Sequence, residues 1–274
     1  MSGRAKSFSI RRVNISLPWF KVAFVILVIL FVVFAIQAKP QIFEDETAAS
    51  YVTAPMITQP KVPERSVRNL EGKKLVALTF DDGPSSTTTP QLLDILLEKN
   101  TPVTFFDLGS RMQICPDIVM REINEGHEVE SHTMYHQNLT NISEEEVIKD
   151  VTEAKQVYRE LLGYEPKFIR PPYGAHDEKI EKNAGVPLIT WSVDSLDWKY
   201  MEHDSILRYG QMFLKDGGII LMHDIHQTTV DAVSDLIDVL RGNGYEFVTV
   251  SELIKMRGAT LENGGVYGAF HLEN

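Results

Sequence analysis

From residue 70 onward the chain alternates between two kinds of segment. Short apolar runs rich in β-branched and aromatic residues are separated by amphipathic stretches long enough for helices, and that rhythm admits few folds. The runs that read as strands are Leu75 to Phe80, Pro102 to Phe106, His127 to Ser131, Lys167 to Arg170, Leu188 to Ser192, Gly218 to Met222 and Glu246 to Val250. The helices expected between them are Pro90 to Lys99, Pro116 to Glu125, Ser143 to Leu162, Asp177 to Asn183, Ser205 to Leu214 and Val230 to Gly242. Ser143 followed by Glu146 makes a capping box, and Gly163 and Gly242 stand where helices stop. Seven strands alternating with helices specify an α/β fold with a parallel sheet covered by helices. Periodicity alone does not separate an open sheet from a closed barrel.

The polar residues are more telling. In LVALTFDDGP, two adjacent carboxylates, Asp81 and Asp82, follow the first strand directly, and Gly83-Pro84 stop it. An ordinary surface turn would accept the same four residues. His132 and His136 follow the third strand, Arg170 the fourth, Asp194 and Asp197 the fifth, and His223 the sixth. All stand at carboxyl ends of strands, the end where (β/α) barrels keep their chemistry. The stretch His132-Thr-Met-Tyr-His136 places two imidazoles four residues apart, and two histidines plus a carboxylate with an open position form a common catalytic zinc arrangement. Either Asp81 or Asp82 can supply the carboxylate. A metallopeptidase reading is disfavoured because HTMYH lacks the glutamate of the usual helical motif.

With these residues in place, the body resembles the polysaccharide deacetylase family, the NodB-homology domain of carbohydrate esterase family 4. The signatures are TFDDGP (Thr79 to Pro84), SHTMYH (Ser131 to His136), RPPYG (Arg170 to Gly174), DSLDW (Asp194 to Trp198) and LMHD (Leu221 to Asp224), in that order along residues 71–256. The resemblance implies a distorted (β/α) barrel of about seven parallel strands. It also implies that Asp82, His132 and His136 hold a divalent metal, usually zinc, and that Asp81 is the general base toward a water the metal makes acidic. Tyr173 would offer its backbone N–H to the oxyanion, and His223 would protonate the leaving amine. Asp197 would pair with His223, with Asp194 the alternative for that role, and Arg170 would orient Asp81. Trp198 and Leu221 would line the slot for the acetyl methyl. Glu130 and Asp107 depart from the family pattern, which has a small and an apolar residue at those positions. If their carboxylates face the metal they would alter its affinity or the pH optimum. His226, three residues after His223, is near enough to touch the site. His127, His176, His203 and His271 match no signature and read as structural or surface residues.

Upstream, the uninterrupted apolar run from Val22 to Ile36 within Pro18 to Ala38 is close to the roughly 20 residues of a transmembrane helix. Residues 1–17 are polar and basic, and acids follow the run, which places the amino terminus in the cytoplasm and the body outside. A cleaved signal peptide competes, but Ile36-Gln37-Ala38 is a poor cleavage site. Residues 39–70, rich in Pro, Thr and charge, read as a tether, and residues 257–274 as a tail without usable period. The first 39 residues hold six basic residues and no acids, leaving 21 basic against 38 acidic beyond them, a net charge near −17. So acidic a body excludes nucleic acid as partner. Cys115 is the single cysteine, so no internal disulfide forms.

The expectation is a membrane-anchored, metal-dependent N-deacetylase acting on an N-acetylated polysaccharide outside the cell, most simply peptidoglycan at N-acetylglucosamine, with no obligate protein partner. Chitin-like or poly-N-acetylglucosamine chains and acetylated xylan are rival substrates. A catalytically dead glycan-binding domain is the rival of a different class; it predicts loss of Asp81 or His223, and both are present.

Overall fold

The computed structural model of the chain describes residue 70 and residues 72–272. The expected anchor (18–38), the cytoplasmic tail (1–17) and nearly all of the tether lie outside the described residues. Among the described residues no helix is long and apolar enough to cross a membrane.

Strand β1 (Lys74–Asp81) is buried from Leu75 to its end because both its edges are occupied. On one edge β6 (Gly218–His223) runs parallel to it from Val76 beside Gly218 to Asp81 beside His223. The other edge is shared. Strand β7 (Tyr245–Phe247) pairs with Lys74 to Val76, and β2 (Thr104–Asp107) with Thr79 to Asp81. Strand β3 (Glu128–Ser131) extends the sheet beyond β2, and β5 (Val193–Asp194) extends it beyond β6. The sheet curls back on itself through Ile169, which bridges Ser131 on one side and Leu188 on the other. Leu188 begins β4 (Leu188–Ile189), and the same run of chain continues into β5 beside β6. The result is a parallel-stranded, barrel-like α/β fold.

The period of two along β1 sets both faces. Val76, Leu78 and Phe80 point outward and pack with Phe105, Ile220 and Met222 under helices α1 (Thr89–Glu98) and α8 (Gln227–Gly242), which contribute Leu92, Leu96, Val233 and Leu236. Leu75 and Ala77 point inward, where Phe106, Phe168, Ile189, Ile219 and Phe270 fill the interior. Thr79 and Asp81 continue this inward face, so the same alternation that packs the floor aims two polar groups at the open end.

The structure differs from the sequence expectation in five places, the first being the expected strand Leu188 to Ser192, which stops at Ile189 and is followed by a separate strand at Val193–Asp194. Lys167 to Arg170 forms no regular strand; only Ile169 bridges its neighbours. The reason is Glu130, whose buried carboxylate accepts the N–H groups of Lys167 at 2.7 Å and Phe168 at 3.0 Å, taking donors a ladder would have used. The last strand ends at Phe247 instead of Val250. Thr249 and Glu252 form a capping box there, and the chain turns into helix α9 (Val250–Arg257). Helices α2 (Gly109–Ile114) and α6 (Asp197–Tyr200) were not anticipated. The segment after 257 packs on the body: β8 (Val266–Tyr267) pairs with β4, Ala269 bridges Gly218, and Phe270 is buried. Gly217 permits this closure, since its φ is +86° and a Cβ would sit 2.0 Å from the Phe270 carbonyl oxygen.

Candidate active site

Asp81 and Asp82 occupy the end of β1 but face different partners. Asp81 follows the inward alternation, and its Oδ1 accepts from Arg170 Nη1 at 2.7 Å. Arg170 is completely buried, lies 4.0 Å over the Phe106 ring, and also donates to Thr79 Oγ1 and to the Ile189 and Thr190 carbonyls. So many fixed acceptors hold the guanidinium in one position, and with it Asp81. Asp82 adopts φ +74°, a conformation costly for a residue with a Cβ. That turn swings its carboxylate away from Arg170 and toward two histidines.

His132 Nε2 lies 3.3 Å and His136 Nε2 3.2 Å from Asp82 Oδ1. That oxygen is buried and has no hydrogen-bond donor. The Nδ1 of His132 donates to the Arg170 carbonyl at 2.8 Å, which leaves the Nε2 lone pair directed at Asp82. One ligand atom from each of Asp82, His132 and His136 lies within 4.8 Å of the others, a donor set and span that fit a divalent cation. Burial opposes the charge of Asp82, but the neighbouring His132, with His136 behind, holds its carboxyl well below the usual range. Burial, then His132, pushes His136 down, favouring the neutral ring a metal needs.

On the opposite wall, His223 ends β6 beside Asp81. Its Nδ1 lies 2.8 Å from Asp197 Oδ1, and its backbone N–H donates to Asp197 Oδ2 at 2.7 Å. Thr229 Oγ1 donates to the same oxygen at 2.8 Å. Burial opposes the charge of His223, yet Asp197 raises the imidazole to about 9. Asp194 does not share this role; its Oδ1 accepts the N–H of Leu196 at 2.8 Å, capping the turn into α6.

A cleft of about 410 Å³ brings together Asp81, Asp82, His132, His136, Tyr173, Trp198, Leu221 and His223, eight of the ten site residues expected from sequence. The other two, Arg170 and Asp197, lie behind the wall and hold Asp81 and His223. Trp191, Asp194 and His226 also line the cleft. Trp191 escaped sequence reasoning because it falls inside the expected strand Leu188 to Ser192, whereas β4 ends at Ile189; Gly174 leaves room for it, since a Cβ there would lie 2.8 Å from the indole. The Tyr173 ring meets His136 at 4.8 Å. The loop's own bonds run from Gly174 to Pro171 and Ala175 to Pro172, leaving the Tyr173 N–H outside them. Of the eight described non-glycine residues at positive φ, five (Asp82, Thr133, His136, Tyr173 and Leu196) lie on loops of the cleft. Strain is concentrated where side chains must converge. Asp107 and Glu130 do not line the cleft: Glu130 serves the 167–168 backbone, and Asp107 faces Glu122.

A strand-end Asp-His-His cluster flanked by an Asp–Arg pair and a His–Asp pair is the equipment of metal-assisted hydrolysis. A family model for polysaccharide deacetylase matches residues 68–188. The chain is 42% identical over 207 residues to a peptidoglycan-N-acetylglucosamine deacetylase of Listeria monocytogenes, covering 76% of this chain and 43% of that protein. It is 38% identical over 185 residues to a peptidoglycan-N-acetylmuramic acid deacetylase of Bacillus subtilis, covering 68% of this chain and 40% of that one. It thus spans less than half the length of these two relatives. Among solved structures, a family 4 acetyl xylan esterase from Clostridium thermocellum, in complex with a cobalt ion, superposes with a TM-score of 0.68 at 30% identity, over 72% of this chain and 98% of that one. The chain belongs to the polysaccharide deacetylase family.

Proposed function

We propose that this protein hydrolyses the acetamide of N-acetylglucosamine units in peptidoglycan, releasing acetate, with a divalent metal, zinc by preference, held by Asp82, His132 and His136. The observation that supports this reading most is the joint placement of that cluster, the Asp81–Arg170 pair and the His223–Asp197 pair around one cleft. When bound, the metal polarises the acetyl carbonyl and makes a water acidic enough for a carboxylate to deprotonate.

The protein's own groups do the rest. Arg170 occupies Asp81 Oδ1, so the remaining oxygen, 3.7 Å from His132 Nε2, takes the proton of the attacking water. The hydroxyl adds to the carbonyl carbon, and the Tyr173 N–H donates to the oxygen that becomes negative. An amine leaves only when protonated. His223, charged because Asp197 holds its Nδ1, donates from Nε2 as the carbon–nitrogen bond breaks. Trp198 and buried Leu221 bound the space for the acetyl methyl, which keeps larger acyl groups out.

The apolar span at 18–38 would anchor the protein with its amino terminus in the cytoplasm and the catalytic body outside, next to the wall. The test is acetate release by the full-length, zinc-loaded protein from purified peptidoglycan, N-acetylglucosamine oligomers and acetylated xylan. Release from peptidoglycan that chelator abolishes supports chemistry and substrate. Release from another glycan alone overturns the substrate, and silence on all three with metal bound revives the binding-domain reading.

A further inference from the structure

The body beyond residue 39 carries a net charge near −17, yet a basic, aromatic patch adjoins the cleft. Helix α6 is a single turn of four residues. Asp197 holds His223, Trp198 lines the cleft, and Lys199 and Tyr200 come next in the chain, both exposed. Helix α7 (His203–Gln211) supplies the rest of the patch. Its Tyr209 ring stacks on Tyr200, with centroids 5.2 Å apart and planes 8° from parallel. Lys199 Nζ lies 5.2 Å from the centre of the Tyr200 ring. The Arg208 guanidinium lies 4.7 Å over the Tyr209 ring and donates to its hydroxyl at 3.2 Å. Both charges reach one spot: after the Tyr209 phenol, Lys199 and then Arg208 pull the Tyr200 hydroxyl below its ordinary value. Among the described residues no ion pair joins Lys199 or Arg208 to an acid. Glu202 and Asp204, the acids nearest in sequence, are turned to Ser205 and His203. Two cations held against aromatic rings, exposed and unpaired, on the turn that also builds the cleft wall, form a surface that suits an anion.

We propose that Lys199 and Arg208, braced by Tyr200 and Tyr209, bind carboxylates of the stem peptide carried by the N-acetylmuramic acid next to the reacting sugar. The inference rests on the peptidoglycan reading above and adds the peptide to what the protein recognises. Peptidoglycan alternates its two sugars, so each neighbour of a reacting N-acetylglucosamine is an N-acetylmuramic acid. Its lactyl group is amide-linked to a short peptide with free carboxylates. A sugar whose acetamide lies in the cleft leaves those neighbours at the cleft's ends. The peptide is several residues long, so it spans to a patch that begins one residue beyond the cleft wall without needing a single pose. Ammonium and guanidinium groups pair with carboxylates, and on an exposed surface they do so at modest strength. Chitin-like and poly-N-acetylglucosamine chains carry no such peptide. The patch therefore favours peptidoglycan over them through charge, apart from the chemistry in the cleft.

The test measures acetate release by the full-length, zinc-loaded protein from three substrates. These are peptidoglycan freed of other wall polymers, the same peptidoglycan with its carboxyl groups converted to amides by carbodiimide and excess ammonia, and N-acetylglucosamine oligomers. Wild type should favour native over amidated peptidoglycan about fivefold in kcat/KM, mostly through KM, and added salt should narrow that preference. The double variant Lys199→Gln, Arg208→Gln should lose about fivefold on native peptidoglycan and most of the preference, while its kcat/KM on the oligomers stays within about twofold of wild type. Equal wild-type rates on native and amidated peptidoglycan, or an equal loss on peptidoglycan and oligomers in the double variant, overturns the inference while leaving peptidoglycan deacetylation standing. If the double variant does not fold, the wild-type preference and its salt dependence decide. Acetate from the oligomers but from neither peptidoglycan refutes the underlying reading and this inference with it.

Discussion

Two sets of buried acids lie close together in this molecule, and they are treated in opposite ways. At the mouth, Asp81, Asp82 and Asp197 each face a guanidinium or imidazole. Burial works against the charge of Asp197, yet His223 holds its carboxyl below the ordinary range. Behind the strands, Asp107, Glu122, Glu130 and Asp224 are equally buried, and no ion pair joins them to a cation among the described residues. Burial is the main force raising all four: Asp224 adds to it for Asp107, Asp107 for Glu122, and Glu128 for Glu130. Asp224, which accepts from Thr89 Oγ1 and crowds Gly83, is pushed up to about 7. Asp107 and Glu122 are close enough for the charge of Asp107 to raise Glu122, so a proton on one relieves both. A buried carboxyl keeps its charge only where a partner offsets desolvation. The fold places its cations on the side where chemistry needs charge, and burial pushes the acids behind toward the protonated form.

The sharpest way to break this contrast is at the mouth. Asp81→Asn should lower turnover by about 10²–10⁴-fold while the metal stays bound, whereas His132→Ala should lose the metal, both read by metal analysis beside acetate release. Normal turnover in Asp81→Asn would remove Asp81 from the chemistry. The next effect concerns His223. It must be protonated to donate, so activity should fall as pH rises through about 9. In Asp197→Asn that alkaline limb should move to lower pH and turnover should drop about a hundredfold, measured as a kcat/KM profile. An unmoved limb would detach Asp197 from the proton donor.

The acids behind the strands should answer through stability instead. For Asp107 and Glu122 the folded state binds protons more tightly than the unfolded state. Stability should therefore fall as pH rises from the ordinary carboxylate range toward their raised folded values. The double variant Asp107→Asn, Glu122→Gln should flatten that decline by about 1–3 kcal/mol between pH 5 and 8 in urea unfolding. If it steepens the decline, the pair is ionised and the contrast fails. The smallest effect is at Glu130, whose loss in Glu130→Ala strands two backbone N–H groups and should cost about 1–2 kcal/mol with kcat unchanged.

The mouth was legible in the sequence because its residues sit where a strand stops, a place marked by the change from apolar run to turn. His132, His136 and one of Asp81 and Asp82 could be grouped without knowing the loop geometry that joins them, and the family resemblance singled out Asp82. The acids behind were not grouped, although Glu122 left a trace: it shares the buried stripe of helix α3 (Pro116–Asn124) with Val119 and Ile123, at the spacing of a core position. Its partner Asp107 is 15 positions away on a strand, and nothing local connects them. Val248 and Val250 have strand character, so the helix at Val250 was legible only through Thr249 and Glu252, and β-propensity masked that signal. The tail had too little period to reveal β8, because a two-residue strand is defined by its partner.

Strand β1 holds Thr79, Asp81 and the start of the Asp82 turn on the most enclosed backbone of the sheet, with three strands against it. Change there would cost folding and chemistry together. Trp198, Tyr173 and His226 stand on loops and short helices, and Asp194 at the end of the two-residue β5, all touching the same cleft from outside that strand. Over evolutionary time the reaction should therefore be inherited as a fixed unit, while the glycan it serves can drift one loop at a time.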